Sequence, residues 1–287
     1  MNPDVPIDRF EVYASGLDHP ECCAFDRDGN LWAGGEAGQV YRIDPTGKVE
    51  TIVNLGGFCS GVAFSPDDRE LFVCVAGVGV AGVGVACVNK SGEHRVFATH
   101  AGNHKIVAAN YLLFDRRGRM YVTDSGNWMK RNGFVLRFDA DGSGEVLAGS
   151  LGYANGLALS ADERHLFMVE SDSDSVLRFE IGSDNRLRDP DVYANHVGRF
   201  PDGLALDVEG NLHVCCYASD EIWRISRDRQ KTLLAHDRWG ILLGRPTNLA
   251  FGGKNFNDIY VANLGRYTIT RAKLAIRGQP LANLRVK

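Results

Sequence analysis

Long hydrophobic runs are missing from this sequence. The most apolar stretch, Ala76 to Val88, alternates glycine with valine. It falls short of the roughly 20 residues that a membrane-spanning helix needs and reads as a glycine-rich strand and loop. The opening residues, Met1 to Phe10, carry Asp4, Asp8 and two prolines and lack the apolar core of a signal peptide. Excess positive charge is missing too, with 32 Lys and Arg against 36 Asp and Glu and a net charge of −4. With no basic stretch, neither a nucleic-acid nor a membrane partner is expected. There is no G-x-S-x-G elbow, so no serine nucleophile is assigned. The seven cysteines, at 22, 23, 59, 74, 87, 215 and 216, offer no C-x-x-C spacing and are odd in number. They read as buried, reduced thiols of a cytoplasmic protein rather than as a disulfide framework.

Glycine, by contrast, is plentiful at 33 of 287 residues, which favours many tight turns over long helices. Six segments repeat: Glu21-CCAFDRDGNLW, Ser60-GVAFSPDDRELF, Asn110-YLLFDRRGRMY, Asn155-GLALSADERHLF, Asp202-GLALDVEGNLH and Thr247-NLAFGGKNFNDIY. Each has a polar residue, a large apolar residue four places on, a turn rich in Asp, Gly or Ser, and a second apolar pair. Short apolar runs about such turns are hairpins. A third strand recurs as Val40-Tyr-Arg-Ile, Val85-Ala-Cys-Val, Val135-Leu-Arg-Phe, Val176-Leu-Arg-Phe, Ile222-Trp-Arg-Ile and Ile269-Thr-Arg-Ala. A fourth follows in the first five units. Four strands every 39 to 50 residues (openings at 21, 60, 110, 155, 202 and 247) is the period of a propeller blade. The sixth unit lacks a fourth strand, and Phe10-Glu-Val-Tyr-Ala-Ser has the pattern to supply it. The expectation is an all-β, six-bladed β-propeller spanning residues 1–287 as one domain, with four antiparallel strands per blade and the ring closed by the N-terminal strand. The repeated Arg42, Arg137, Arg178, Arg224 and Arg271 are expected to serve blade-to-blade packing and ion pairing.

Glu21, Ser60, Asn110, Asn155, Asp202 and Thr247 hold the same slot in every blade, and all bear oxygen. Taken singly, Asn155-Gly156 and Asp202-Gly203 are ordinary turn dipeptides. Taken in register, two carboxylates and two amides converge on an axis, where a hard divalent cation would relieve their repulsion. The metal ligands expected are Glu21, Asn110, Asn155 and Asp202. Calcium comes first and magnesium or manganese next, with zinc, which favours nitrogen and sulfur, behind them. His19, two residues before Glu21, is a candidate donor to a ligand carboxylate. Asp124 is a candidate to orient Asn110 or to contact substrate, and Trp128 and Tyr153 are candidate aromatic rim residues.

Six blades with Glu opening the first, Asn the third, Asn-Gly the fourth and Pro-Asp-Gly the fifth resemble the regucalcin/gluconolactonase family, with similarity to diisopropyl-fluorophosphatases. The segments Tyr121-Val-Thr-Asp-Ser and Phe167-Met-Val-Glu-Ser resemble the strictosidine-synthase-like branch. The resemblance implies that Glu21, Asn155 and Asp202 bind a catalytic cation, that Asn110 is a fourth ligand or a substrate contact, and that Asp202 is the general base. The chain reads Glu21-Cys22-Cys23 where the family has Glu-Gly-Pro. It also has Ala108 where the sugar-lactone members have arginine, and Asn127-Trp128 where they place a rim carboxylate. These departures point away from gluconolactone itself, toward a less polar lactone or ester. The expected activity is divalent-metal-dependent hydrolysis of such a small molecule. Phosphotriester hydrolysis at the same site, with Asp202 as nucleophile, and a non-catalytic calcium-binding propeller stand as alternatives.

Overall fold

The computed structural model describes residues 3–76 and 84–285. Residues 77–83, the middle of the stretch from Ala76 to Val88, lie outside them. Six four-stranded antiparallel sheets are arranged as a six-bladed β-propeller. In blade one the strands are Cys23–Phe25, Leu31–Gly34, Gln39–Ile43 and Val49–Asn54. In blade two they are Phe58–Phe64, Glu70–Ala76, Gly84–Asn89 and His94–Ala98, and in blade three Ala109–Phe114, Met120–Asp124, Gly133–Phe138 and Gly144–Leu151. Blade four has Ala154–Leu159, His165–Glu170, Ser175–Glu180 and Asp191–Ala194. Blade five has Pro201–Leu206, Leu212–Cys216, Glu221–Ile225 and Lys231–His236. Blade six has Pro246–Gly252, Asp258–Asn263 and Thr268–Lys273, and its fourth strand is Glu11–Ser15 from the N-terminus, as the repeat pattern required.

The repeated turn has a specific electrostatic cause. In blades one, three and five an aspartate follows the first strand, and one of its oxygens accepts the N–H four residues on. Asp26 takes Asn30 at 2.8 Å, Asp115 takes Arg119 at 2.9 Å and Asp207 takes Asn211 at 2.9 Å. The second oxygen receives a side chain from the returning strand: Trp32 Nε1 at 2.9 Å, Arg119 Nε at 2.6 Å and His213 Nε2 at 3.0 Å. Gly29, Gly118 and Gly210 in these turns take φ of 85°, 83° and 82°, a region that side chains disfavour.

The chain divides into two compact units, Glu21–Asn155 with Pro280–Lys287, and Met1–Pro20 with Gly156–Gln279. In the first, the core between blades one and two gathers Trp32, Val62, Phe64, Leu71, Val73 and Val88, all buried. The C-terminal turn is tied in through Asn283, whose amide donates to Phe25 O and Asp68 Oδ1, both at 2.9 Å. In the second, Phe167, Val169, Tyr193, Leu204, Leu206 and Val214 fill the space between blades four and five.

The repeated arginines pair within a blade rather than between blades. Arg42 meets Glu50 at 2.6 Å, Arg137 meets Glu145, Arg178 meets Asp191 at 2.9 Å and Arg271 meets Glu11 at 2.6 Å. In each case the partner is the residue directly opposite on the fourth strand. Arg224 turns to Asp4 at 3.0 Å. Cross-strand register, not blade contact, is the reason for their periodicity.

Candidate active site

Asn155-Gly156 and Asp202-Gly203 are not turns. Both dipeptides lie inside the first strands of blades four and five, and their glycines meet a different demand. A Cβ on Gly156 would stand 2.7 Å from the carbonyl oxygen of Asp202, and one on Gly203 would stand 2.5 Å from that of Thr247. Gly61, after Ser60, is likewise set against the Asn110 carbonyl at 2.6 Å. The residue after the slot is therefore glycine where the next blade's slot backbone packs directly on it.

A second device fixes the residue before the slot. Ser125 Oγ donates to Ala154 O and Ser171 Oγ donates to Pro201 O, each at 2.7 Å in buried surroundings. Ser60 Oγ does the same for Ala109 O at 3.0 Å. Asn155, Asp202 and Asn110 are thus each preceded by a carbonyl held by the hydroxyl of an earlier blade. Ser125 and Ser171 each follow the last residue of a second strand, a site that sequence periodicity does not mark out. Ser60 and Thr247, whose hydroxyl donates to Ala262 O at 3.4 Å, direct their oxygens at backbone. Glu21, Asn155 and Asp202 are 7%, 2% and 5% exposed, and Asn110 is half-buried. Carboxylate and amide oxygens are donors of the kind that hard divalent cations take. Such residues fit a cation of the calcium class.

Asp124 is buried and accepts the N–H groups of Val107 at 2.9 Å, Ala108 at 2.8 Å and Gly126 at 3.2 Å. His104 Nε2 completes its shell at 2.9 Å, with the imidazole against the Phe134 ring at 4.1 Å. Asp124 therefore holds the segment that leads into Asn110, together with the start of the loop bearing Trp128. His104 sits on a small extra hairpin, His100–Ala101 with His104–Lys105, too short to leave a pattern in the sequence.

The residue two places before the slot is the second repeated feature. His19, Tyr153, Phe200 and Arg245 all have left-handed backbone, with φ of 44°, 55°, 54° and 54°. Such torsions are costly for bulky side chains and gather at functional sites. His19 Nδ1 donates to Leu264 O at 2.6 Å and its ring lies on Tyr267 at 4.6 Å. Its Nδ1 is therefore engaged by blade six. Tyr153 stacks edge-on with Trp128 at 5.2 Å, and Trp128 stays 47% exposed. These two predicted rim residues are brought together.

A six-bladed propeller with buried oxygen donors at the start of its first strands defines a recognisable class. The chain belongs to the SMP-30/gluconolactonase/LRE-like family, whose profile matches residues 78–264. Residues 10–43 match the N-terminal part of strictosidine synthase-like proteins. The chain is similar to 6-deoxy-6-sulfogluconolactonase of Pseudomonas putida, at 27% identity over 249 residues covering 81% of this chain and 78% of that one. In fold it is similar to a gluconolactonase from Xanthomonas campestris (TM-score 0.78, 18% identity, 92% and 89% of the two chains covered). It is also similar in fold to a calcium-binding protein, regucalcin, from Agrobacterium tumefaciens (TM-score 0.78, 15% identity, 100% of both chains). No helix among the described residues is long and apolar enough to cross a membrane.

Proposed function

We propose that the protein is a divalent-cation-dependent hydrolase that opens a lactone or a related ester. Its family and the lactonase relatives support this reading. The observation that carries it is Asp202, a buried carboxylate whose backbone is held from both sides by Ser171 and Gly156. Glu21, Asn155 and Asp202 would hold the cation, with Asn110 as a fourth ligand or a substrate contact. Calcium is the first choice and magnesium or manganese the next. When bound, a divalent cation supplies Lewis acidity to the substrate carbonyl and makes water easier to ionise. Asp202 takes a proton from the attacking water or holds that water in place. Its fixed backbone means that little reorganisation is needed as charge develops. Trp128 and Tyr153 give the substrate ring an aromatic edge, and Asp124 keeps the chain around Asn110 in place.

The test is to strip the protein with a chelator and restore calcium, magnesium, manganese or zinc singly. Hydrolysis is then measured across lactones, carboxylic esters and a phosphotriester. Lactone hydrolysis that returns with a cation is expected. Full activity in the stripped protein, or activity on the phosphotriester alone, would contradict the proposal.

A further inference from the structure

In blades one, four, five and six the residue two places before the slot has left-handed backbone and changes its chemistry from blade to blade, and in blade six it is a cation. Arg245 is exposed, yet its backbone is tightly fixed. Its N–H donates to Asp220 Oδ1 at 2.7 Å and its carbonyl accepts the Leu264 N–H at 3.0 Å. A Cβ on Gly265 would come within 2.6 Å of Arg245 Cγ, so the side-chain stem runs close along the backbone. The guanidinium lies over the Tyr217 ring at 5.2 Å. Tyr217 in turn packs on Phe200 at 5.5 Å, and Phe200 is two residues before Asp202. Among the described residues this guanidinium makes no ion pair. An arginine held by a strained backbone, stacked on an aromatic face and left with its donors uncommitted, is built to receive an anion in a planar, bidentate fashion.

We propose that Arg245, on its Tyr217–Phe200 platform, is a subsite for an anionic substituent, a carboxylate or sulfonate carried by the substrate at a distance from the bond that is cleaved. The substrate class is then a lactone with a negatively charged side arm, in place of the less polar lactone that the departures from the family pattern suggest. This rests on the hydrolase reading for the lactone, while the anion site itself can be tested without turnover.

Two matched pairs measure it. D-glucaro-1,4-lactone differs from D-glucono-1,4-lactone by a carboxylate, and γ-butyrolactone with a carboxymethyl arm differs in the same way from the ethyl analogue. A 6-sulfo sugar lactone separates sulfonate from carboxylate. The wild type is expected to favour the charged member of a pair by about tenfold or more in kcat/KM, the effect of one charge-assisted contact. Arg245→Gln, which keeps the stem, is expected to erase that ratio, and Arg245→Lys to retain part of it. Tyr217→Leu should weaken it by loosening the guanidinium. Calorimetric titration with D-glucarate, which has no bond to cleave, provides the independent arm. Binding by wild type that Arg245→Gln loses would support the subsite even if no lactone were hydrolysed. Equal kcat/KM within both pairs, or glucarate affinity unchanged by Arg245→Gln in a variant of wild-type thermal midpoint, would overturn it.

Discussion

Gly156 lies against the carbonyl oxygen of Asp202, so closely that a single methyl group would reach within 2.7 Å of it. The atoms it would meet next are the Cα of Gly203 at 2.8 Å and Leu204 Cδ2 at 2.9 Å. The backbone cannot yield cheaply, and overpacking of this kind costs about 1–3 kcal/mol. Gly156→Ala is expected to lower the thermal midpoint and to depress lactone turnover by displacing Asp202. Gly61→Ala makes the same insult at Asn110, at 2.6 Å. Comparable loss of stability in the two variants, with the larger loss of activity in Gly156→Ala, is the expected pattern of melting and rate measurements.

Ser171 and Ser125 offer a gentler probe of the same scaffold. Each serine-to-alanine change leaves a buried carbonyl, Pro201 O or Ala154 O, without its hydroxyl donor, at a cost of about 1–3 kcal/mol. Denaturant melts should show similar destabilisation for both. Turnover should fall in both as well, since each carbonyl immediately precedes a slot residue.

Much of this architecture is legible in the sequence because blades repeat their chemistry. The first hairpin of blades one, three and five is written in an Asp-x-x-Gly turn, and the closing strand, Glu11–Ser15, shows as a fourth-strand pattern displaced to the other end of the chain. Contacts between repeats are harder to read. Strand periodicity says which face a side chain takes but not which neighbour it meets, so Arg42 and its counterparts suggested blade contacts where cross-strand pairs occur. Asn155-Gly156 carries the composition of a turn, although its glycine is there for close packing within a strand. His104 was missed because its hairpin arms are two residues long, and Ser125 and Ser171 because a lone serine at a strand end has many uses. Left-handed backbone at His19, Tyr153, Phe200 and Arg245 leaves no sequence signal at all when no glycine marks it.

Asp237 governs the loop that carries Trp239 and Ile241, which are 75% and 64% exposed. Burial pushes its carboxyl up, but the backbone N–H groups of Leu243, Leu242, Trp239 and Ile241 outweigh burial and hold it below the usual carboxylate range. A depressed native pKa contributes stability that is present above the unfolded value of about 3.9 and is lost as pH falls through the native one. Asp237→Asn should therefore melt below wild type at neutral pH, by about 1–3 kcal/mol. The gap should narrow once the pH drops below about 4. A gap that stayed constant across the acid range would refute this role.

The cysteines should be chemically silent. All seven are free and buried, and burial pushes the Cys59 and Cys87 thiols up to about 12. Thiolate is the reactive form. A disulfide-exchange reagent at about pH 8, below the ordinary thiol pKa, should find almost no thiol in the native protein and seven after denaturation under non-reducing conditions. Fewer than seven in the denatured chain would reveal a disulfide.

The proposed hydrolysis turns on Asp202. Asp202→Asn preserves the shape of the side chain and keeps one acceptor oxygen while removing the base and one negative charge. The direct measurement is kcat/KM on the best lactone, taken with bound divalent metal per chain and the thermal midpoint of the same sample. A loss of about 10²–10⁴ in rate, the scale of a general base, is expected, with weakened metal retention and a midpoint near wild type. Wild-type turnover in a folded Asp202→Asn protein would contradict it.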